Sequence, residues 1–291
     1  MRQAMLTPNL PWFLFALLSG IGLLISSASP HSWVVFGTLV VLLGIPHGAL
    51  DALEINRLFG AAKGSQWRYR CYTAAAYMLY AILIFAAAGL WFLLPDICLA
   101  VFLIIGAHHF RHDWYSIGDR LTRIILAYLT ISAPALVHDQ GLKQYFLWLY
   151  AEQGTAQLLI WAMQLLSLLG VCALVYRRRF LTAGEWLKLA ILIVAALLLD
   201  PVIYFSCYFC GVHAYKHTEM VLQRLNISWQ RGLKAMLWPQ AITLVLLALL
   251  FFSLPVTNGI QQFTQTVFIG LFCLTLPHLL LTEYILPSRS V

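Results

Sequence analysis

Charged residues are scarce in this chain: Asp, Glu, Lys and Arg make up only 10% of its 291 residues. Soluble domains average about 25% charged residues, so this shortage excludes an ordinary water-soluble domain. The formal net charge is +7, but the basic residues are too scattered to form the stripe that binds nucleic acid. We therefore expect no nucleic-acid partner. In place of charge the chain is 62% apolar, which predicts an integral membrane protein.

Cysteine is infrequent as well, with six residues that mostly lie inside apolar segments. Cysteines in such surroundings behave as small hydrophobic side chains. Cys207 and Cys210 form a CxxC pattern, but a structural zinc site needs two more ligands. We interpret this pair as packing residues.

Long apolar runs dominate the sequence. A membrane-spanning helix needs about 20 apolar residues, and ten runs are candidates. The run 186–200 is the weakest, because it is short and ends at Asp200-Pro201; half of a broken helix is the alternative. The stretch 139–155 is too short and too polar to span, so it is predicted to lie in the membrane interface. The candidate runs are 10–28, 33–55, 72–94, 97–115, 121–137, 156–176, 186–200, 202–222, 235–254 and 262–286.

Basic residues gather at alternate connections between these runs, as the positive-inside rule requires of a correctly drawn topology. The sequence has no repeat, linker or low-complexity segment. We therefore predict an all-α fold: a single polytopic transmembrane helical bundle over residues 1–291, with about ten helices and both termini in the cytoplasm. The basic connections are 57–70, 111–123, 177–188 and 224–234.

Seven of the nine histidines share one depth in this topology, in the half of each helix that approaches the cytoplasm. An ionisable side chain inside a bilayer costs about 2.5 to 3.5 kcal/mol per charge, so it normally faces the bundle interior and has a partner. Four helices that bring imidazoles to one level indicate a common partner. The seven are His47 on the second helix, His108, His109 and His112 on the fourth, His213 and His217 on the eighth, and His278 on the tenth.

The spacing of these histidines favours a metal site in the cytoplasmic half of the bundle. His213 and His217 lie four residues apart, on one helix face, like two ligands of one metal, and His47 joins them at matching depth. A lone membrane histidine such as His278 is more typical of packing. A histidine-rich site without thiolates suits iron, copper or zinc.

Carboxylates accompany several of these histidines. A ligating imidazole usually donates its other ring N–H to an acceptor, often a carboxylate, that fixes the ring. His112 and Asp113 stand beside Arg111 at a helix end, a setting more typical of a solvated cap. The candidates for the orienting role are Asp51 after His47, Glu219 after His217, and Glu283 after His278.

An aromatic cluster precedes the paired histidines on the eighth helix. Such a cluster is often plain core packing, but beside a metal it equally suits the wall of a channel for a long apolar substrate. The channel candidates are Tyr204, Phe205, Tyr208 and Phe209.

Four short motifs resemble, in order along the chain, those of the Brp/Blh family of bacterial integral-membrane β-carotene 15,15′-dioxygenases. The PHGxxD pattern of the first motif is the most specific of the four. The motifs are GIPHGALD (44–51), HHFRHDW (108–114), YFCGVHAYKH (208–217) and LPHLLLTEY (276–284).

This resemblance implies a ferrous iron, Fe(2+), and oxidative cleavage of the central double bond of β-carotene by O2 to give two molecules of retinal. The carotenoid would come from the lipid bilayer, and the protein would be a multi-pass protein of the bacterial inner (cell) membrane. Carried over motif by motif, the metal ligands would be His47, His109, His213 and His217, with His278 as a further ligand or an outer partner.

The second motif departs from the family pattern, which usually places Gly and Glu after His-Phe. Here Phe110 is followed by Arg111 and His112. This departure leaves open whether His108, His109 or His112 binds the metal. It also leaves open whether the substrate is β-carotene, another carotenoid or a different polyene lipid.

Three other classes of protein are alternatives. A membrane desaturase or hydroxylase would carry its histidines in repeated boxes around two metal ions. A haem protein would present paired axial histidines on facing helices. A histidine-lined proton or ion transporter would string polar residues across the whole membrane depth, whereas here they stop near the middle.

Overall fold

The computed structural model describes residues 9–28, 32–60, 66–256 and 258–285. These residues form helices and short connections, and none of them forms a strand, which confirms the all-α prediction. In chain order the α-helices are α1 (Leu10–Ala28), α2 (Ser32–Leu39), α3 (Pro46–Ala49), α4 (Asp51–Gly60), α5 (Gln66–Leu93), α6 (Pro95–His109), α7 (Arg120–Ser132), α8 (Asp139–Trp148), α9 (Gln153–Tyr176), α10 (Ala183–Leu198), α11 (Pro201–Tyr208), α12 (Tyr215–Leu225), α13 (Trp229–Ser253) and α14 (Gly259–Leu279).

Within the described residues, the helices join into rods that correspond to the apolar runs of the sequence. One rod joins α2, α3 and α4, and another joins α11 and α12. Five rods are long and apolar enough to cross a membrane, or six if the bent pair α7 and α8 is one span. Ten crossings therefore remain a prediction. The five are Val34–Phe59, Gln66–Leu93, Gln153–Tyr176, Trp229–Ser253 and Gly259–Glu283.

Local sequence signals set several helix ends. Asp119 caps α7 by accepting a backbone N–H of its first turn at 2.7 Å. Thr182 and Glu185 form a reciprocal capping box at the start of α10. The Asp200-Pro201 pair separates helix α10 from helix α11, because Asp200 caps α11 and Pro201 occupies its first turn. The short helix α8, in the stretch predicted to lie in the interface, makes an angle of 103° with the preceding rod.

The rods that carry histidines lie at the centre of the molecule. Phe15 of α1 packs edge to face against Tyr204 and Tyr208 of α11, with ring centroids 6.3 and 5.8 Å apart. Gly211 lies against the same part of α1, and a Cβ atom there would be 2.9 Å from the backbone nitrogen of Phe15. Glycine at this position lets α1 lie directly against the rod that carries His213.

Candidate metal centre

Three π-helical segments adjoin histidines of the predicted site. His213 lies inside one segment, while His47 follows the first and His278 precedes the last. A π-helical turn holds an extra residue and so shifts the side chains around the helix axis, and it is frequent at functional sites. Pro46 and Pro277, which lack a backbone N–H, directly precede His47 and His278. The π-helical segments are Val40–Gly44, Phe209–Ala214 and Leu280–Ile285.

Five buried imidazoles meet at these irregular turns. The ring centroid of His47 lies 5.2 Å from that of His213, 5.2 Å from that of His217 and 5.3 Å from that of His278. His109 of α6 completes the group, with its centroid 4.9 Å from that of His213 and 5.4 Å from that of His278. These five rings include all four of the ligands that the resemblance implied, together with His278.

The ring nitrogens of this group fit a metal ion. His109, His217 and His278 each offer one nitrogen within 4.8 Å of the other two. Because imidazole nitrogens bind a metal at about 2.0 to 2.1 Å, a small inward movement of the rings would let them share one ion. The Nε2 atoms of His109 and His278 are buried, and no hydrogen-bond partner for them exists among the described residues. A metal would satisfy both of these nitrogens, whose burial without a partner is costly.

Two buried aspartates hold the opposite nitrogens of two rings. His278 Nδ1 donates to both carboxylate oxygens of Asp51, at 3.0 and 2.9 Å. His213 Nδ1 lies 3.2 Å from both oxygens of Asp113. A carboxylate can only accept these hydrogen bonds, so the proton stays on Nδ1 and the Nε2 lone pair is left for a metal. Asp51, expected to orient His47 or a neighbouring imidazole, thus contacts the neighbour.

The interpretation of Asp113 as part of a solvated helix cap is wrong. Its side chain is only 3% exposed, and it also accepts the hydroxyl of Tyr208 at 2.9 Å. Lys216 Nζ donates to the backbone carbonyl of Asp113, so this lysine is held beside the site. The signal in the sequence is the spacing, since Asp113 lies four residues after His109 and continues the helical face of the site.

His47 and His109 have acceptors of other kinds. His47 Nδ1 hydrogen-bonds to the carbonyl oxygen of Gly44, at the end of the first π-helical segment. His109 Nδ1 lies 3.3 Å from Glu283 Oε1, which comes from the last π-helical segment. Four of the five rings therefore have Nδ1 fixed by an oxygen, and His217 Nδ1 is buried with no such partner among the described residues.

A large apolar cavity of about 730 Å³ adjoins the imidazoles. Its volume lies within the range of about 300 to 1,000 Å³ that is usual for ligand pockets. Of the four channel candidates, Tyr204, Phe205 and Phe209 line this cavity, but Tyr208 does not. Tyr208 is wrong as a channel residue because its hydroxyl turns toward Asp113 and its ring is packed in the core. Four imidazoles face the cavity: His47, His109, His213 and His278.

Comparisons with known proteins identify the family of this chain. The family model described as β-carotene 15,15′-dioxygenase matches residues 38–285. A β-carotene 15,15′-dioxygenase from an uncultured marine bacterium, 66A03, is 30% identical over 271 residues, covering 87% of this chain and 93% of that protein. The chain belongs to the β-carotene 15,15′-dioxygenase family. It is thus a member of a family of carotenoid-cleaving enzymes, and no solved structure matches it.

The residues that depart from the usual motif of this dioxygenase family meet at one carboxylate. Arg111 Nη2 donates to Glu283 Oε2 at 2.6 Å, and His112 Nε2 lies 2.9 Å from Glu283 Oε1. The same Oε1 atom is the acceptor for His109. In this family member the carboxylate beside His109 is therefore supplied by the last π-helical segment and is itself clamped by Arg111 and His112.

The remaining predicted residues are not among the five central rings. His108 is exposed on α6, and its backbone carbonyl accepts Arg111 Nη1. His112 is half-buried, and its ring centroid lies 6.1 Å from that of His109. Glu219 is buried on α12 but lies only two residues after His217, so the two side chains do not share a helix face.

Proposed function

We propose that this chain is an iron-dependent oxygenase of the bacterial inner membrane that cleaves the central double bond of β-carotene with O2 to give two molecules of retinal. The observation that carries this proposal is the group of five buried imidazoles, four of which line a large apolar cavity. Family membership supports the carotenoid as substrate. The imidazoles support the metal, and the apolar helices support delivery of substrate from the bilayer.

Iron is the metal that best fits both the donors and the family chemistry. Imidazole donors suit iron, copper and zinc alike, but zinc has no redox chemistry. Ferrous iron, when bound by imidazoles with open positions, would supply the activation of O2. We propose His109, His217 and His278 as ligands, with His47 and His213 close enough to complete or replace members of the set.

The chain's own carboxylates would stabilise a divalent cation at this depth. Asp51 and Asp113 are each buried, so their two negative charges would offset two positive charges in the protein interior. Each also keeps a proton of its histidine on Nδ1, which leaves Nε2 as the ring nitrogen available to a metal. Tyr80 donates to Asp51 at 2.8 Å and so fixes the orientation of that carboxylate.

The cavity would select one double bond by shape alone. A hydrocarbon polyene has no polar group to hold, so its position relative to the imidazoles depends on where its ends fit. Leu142 and Phe146 of α8, and Leu149 directly after α8, are buried and line the cavity, as four of the imidazoles do. The apolar walls also keep water from the reacting bond.

Expression in bacteria that accumulate β-carotene tests the proposal directly. We expect loss of colour and the appearance of retinal by chromatography, both abolished in His217→Ala and His278→Ala. Purified protein should contain one iron per chain and show no haem absorption band. Persistent colour with folded, iron-loaded protein would reject β-carotene as the substrate. Two irons per chain would instead indicate a desaturase or hydroxylase.

A further inference from the structure

Among the described residues that line the cavity, the exposed ones lie on two helices only. Four lining residues are exposed, and all four belong to α5 or α13. Trp238 is the most exposed, at 76%. The remaining lining residues are buried or half-buried. The four exposed residues, which we call the lateral port, are Tyr77 and Ala81 of α5 and Trp238 and Ile242 of α13.

The lateral port opens toward lipid. Both α5 and α13 are membrane-spanning candidates, with mean hydropathies of 2.0 and 2.1, and only 11% of each spanning window is buried. On each helix the two port residues are four positions apart, so they share one face, which is directed at the cavity. Because both helices are candidates for spanning the membrane, the exposed part of the cavity lining would face the acyl region of the bilayer.

One side of the lateral port is a helix that can bend. Pro239 lies inside α13 and also lines the cavity. Proline has no N–H to bond the carbonyl one turn earlier, so a helix bends more easily at this point. Gln240 Nε2 donates to the carbonyl of Val41 at 2.9 Å, which holds this turn of α13 to the rod Val34–Phe59. The position where α13 bends most easily, Pro239, is therefore next to Gln240, which is anchored to another rod.

We propose that the lateral port is the entrance through which a long apolar polyene passes sideways from the bilayer into the cavity. This inference rests on the proposed function for the identity of the polyene, but not for the existence of the opening. The chemistry of the port fits such a ligand, because its four side chains are two aromatic rings and two aliphatic groups. A hydrocarbon that is insoluble in water gains nothing from an aqueous entrance.

Narrowing the port provides the test, with Ala81→Trp and Ile242→Trp as the port variants. The matched controls are Ile82→Trp and Val245→Trp, which are 57% and 59% exposed on the same helices but do not line the cavity. Each protein is reconstituted in vesicles with β-carotene and given O2 after anaerobic equilibration. We expect the first turnover of the port variants to be unchanged and later turnovers to slow about tenfold, an added barrier of about 1.4 kcal/mol. The controls should stay at the wild-type rate.

A second measurement separates the port from the chemistry. Metal-free protein is incubated in β-carotene vesicles for timed intervals, and the carotenoid that copurifies with it is quantified. We expect slower loading of both port variants and faster loading of Trp238→Ala, which removes bulk from the entrance. Loading equal to wild type in all port variants would overturn the proposed entrance, even if retinal forms. Normal port behaviour without any retinal from wild type would instead reject the proposed function alone.

Discussion

The membrane-spanning rods fall into two groups, and the less hydrophobic group is the more deeply buried. The inner group, Val34–Phe59 and Gly259–Glu283, has mean hydropathies of 1.7 and 1.6, with 50% and 67% of the spanning windows buried. The outer group, α5, α9 and α13, has values of 2.0, 2.3 and 2.1, with 11%, 22% and 11% buried. A helix that faces lipid must be apolar, whereas an interior helix can hold polar residues that have partners. The two buried spans each carry a histidine of the candidate metal centre, His47 and His278, and the three outer spans contain none.

The largest expected effect sharpens this contrast within α6, where adjacent histidines lie on different sides. His109 is buried among the rings of the inner rods, and His108 is exposed. An outer partner of a metal ligand is typically worth about 10- to 100-fold in affinity or activity, so removal of a ligand should cost more. We expect His109→Ala to lose the bound metal and the activity, and His108→Ala to keep both.

Metal content per chain and retinal formation measure this difference. Both variants must first show the helical content and detergent stability of the wild type. Equal losses in the two variants, or a loss confined to His108→Ala, would contradict the assignment of His109 to the metal centre. Either outcome would also mean that burial does not distinguish a metal-binding histidine from its exposed neighbour on α6.

The next effect tests the carboxylate of the inner group. Asp51→Asn removes the negative charge beside His278 while keeping the size of the side chain. We expect a loss of about 10- to 100-fold in metal affinity, the usual cost of removing an outer partner. Tyr80→Phe is the matched variant, because it removes the hydrogen bond to Asp51 but leaves the charge, and it should lose much less. Metal titration of both proteins gives the comparison, and equal losses would show that the charge has no special role.

Much of this centre could be predicted from the sequence, because membrane topology assigns a depth to each residue. The common depth of the histidines predicted that His47, His213 and His217 would share a site, and the structure places their rings together. Asp113 was missed because its neighbours Arg111 and His112 are polar, which is typical of a helix end in water. The fold instead buries Asp113 within hydrogen-bond distance of His213 Nδ1.

Other features could not be predicted because they depend on irregular backbone. A regular helix puts residues five positions apart on different faces, so Glu283 should not lie on the same face as His278. The π-helical segment Leu280–Ile285 changes that register and brings Glu283 to His109 on another rod. Periodicity of apolar residues contains no signal for such a turn. The partner of Tyr208 is likewise set by the packing of two rods and not by its own neighbours.

A third prediction applies the same substitution to the buried rod that carries His213 and to an outer helix. Gly211→Ala would place a Cβ atom 3.0 Å from the Cα of Phe15, where only backbone atoms are available to move. We expect it to lower the free energy of unfolding by about 1 to 3 kcal/mol, as overpacking of a core does. Gly89→Ala in the outer helix α5 meets nothing within 4 Å and should be neutral or stabilising. Thermal unfolding in detergent measures both. A stable Gly211→Ala with full metal content would show that the contact between α1 and the rod that carries His213 is not tight.

The smallest effect concerns a carboxylate that lies outside both groups, at the start of α7. Asp119 accepts the hydroxyl and the backbone N–H of Thr122 at 2.6 and 2.7 Å and pairs with Arg177 at 2.5 Å. These contacts, the Thr122 hydroxyl first, lower the pKa of Asp119 to about 2. Because the folded pKa lies below the unfolded value of about 3.9, the stabilisation is present above pH ~4 and is lost as the pH falls toward ~2. Asp119→Asn should therefore lower the melting temperature slightly at neutral pH, and the difference from wild type should shrink across that window. A deficit that stays constant as the pH falls would mean that the shape of the cap, rather than its charge, stabilises α7.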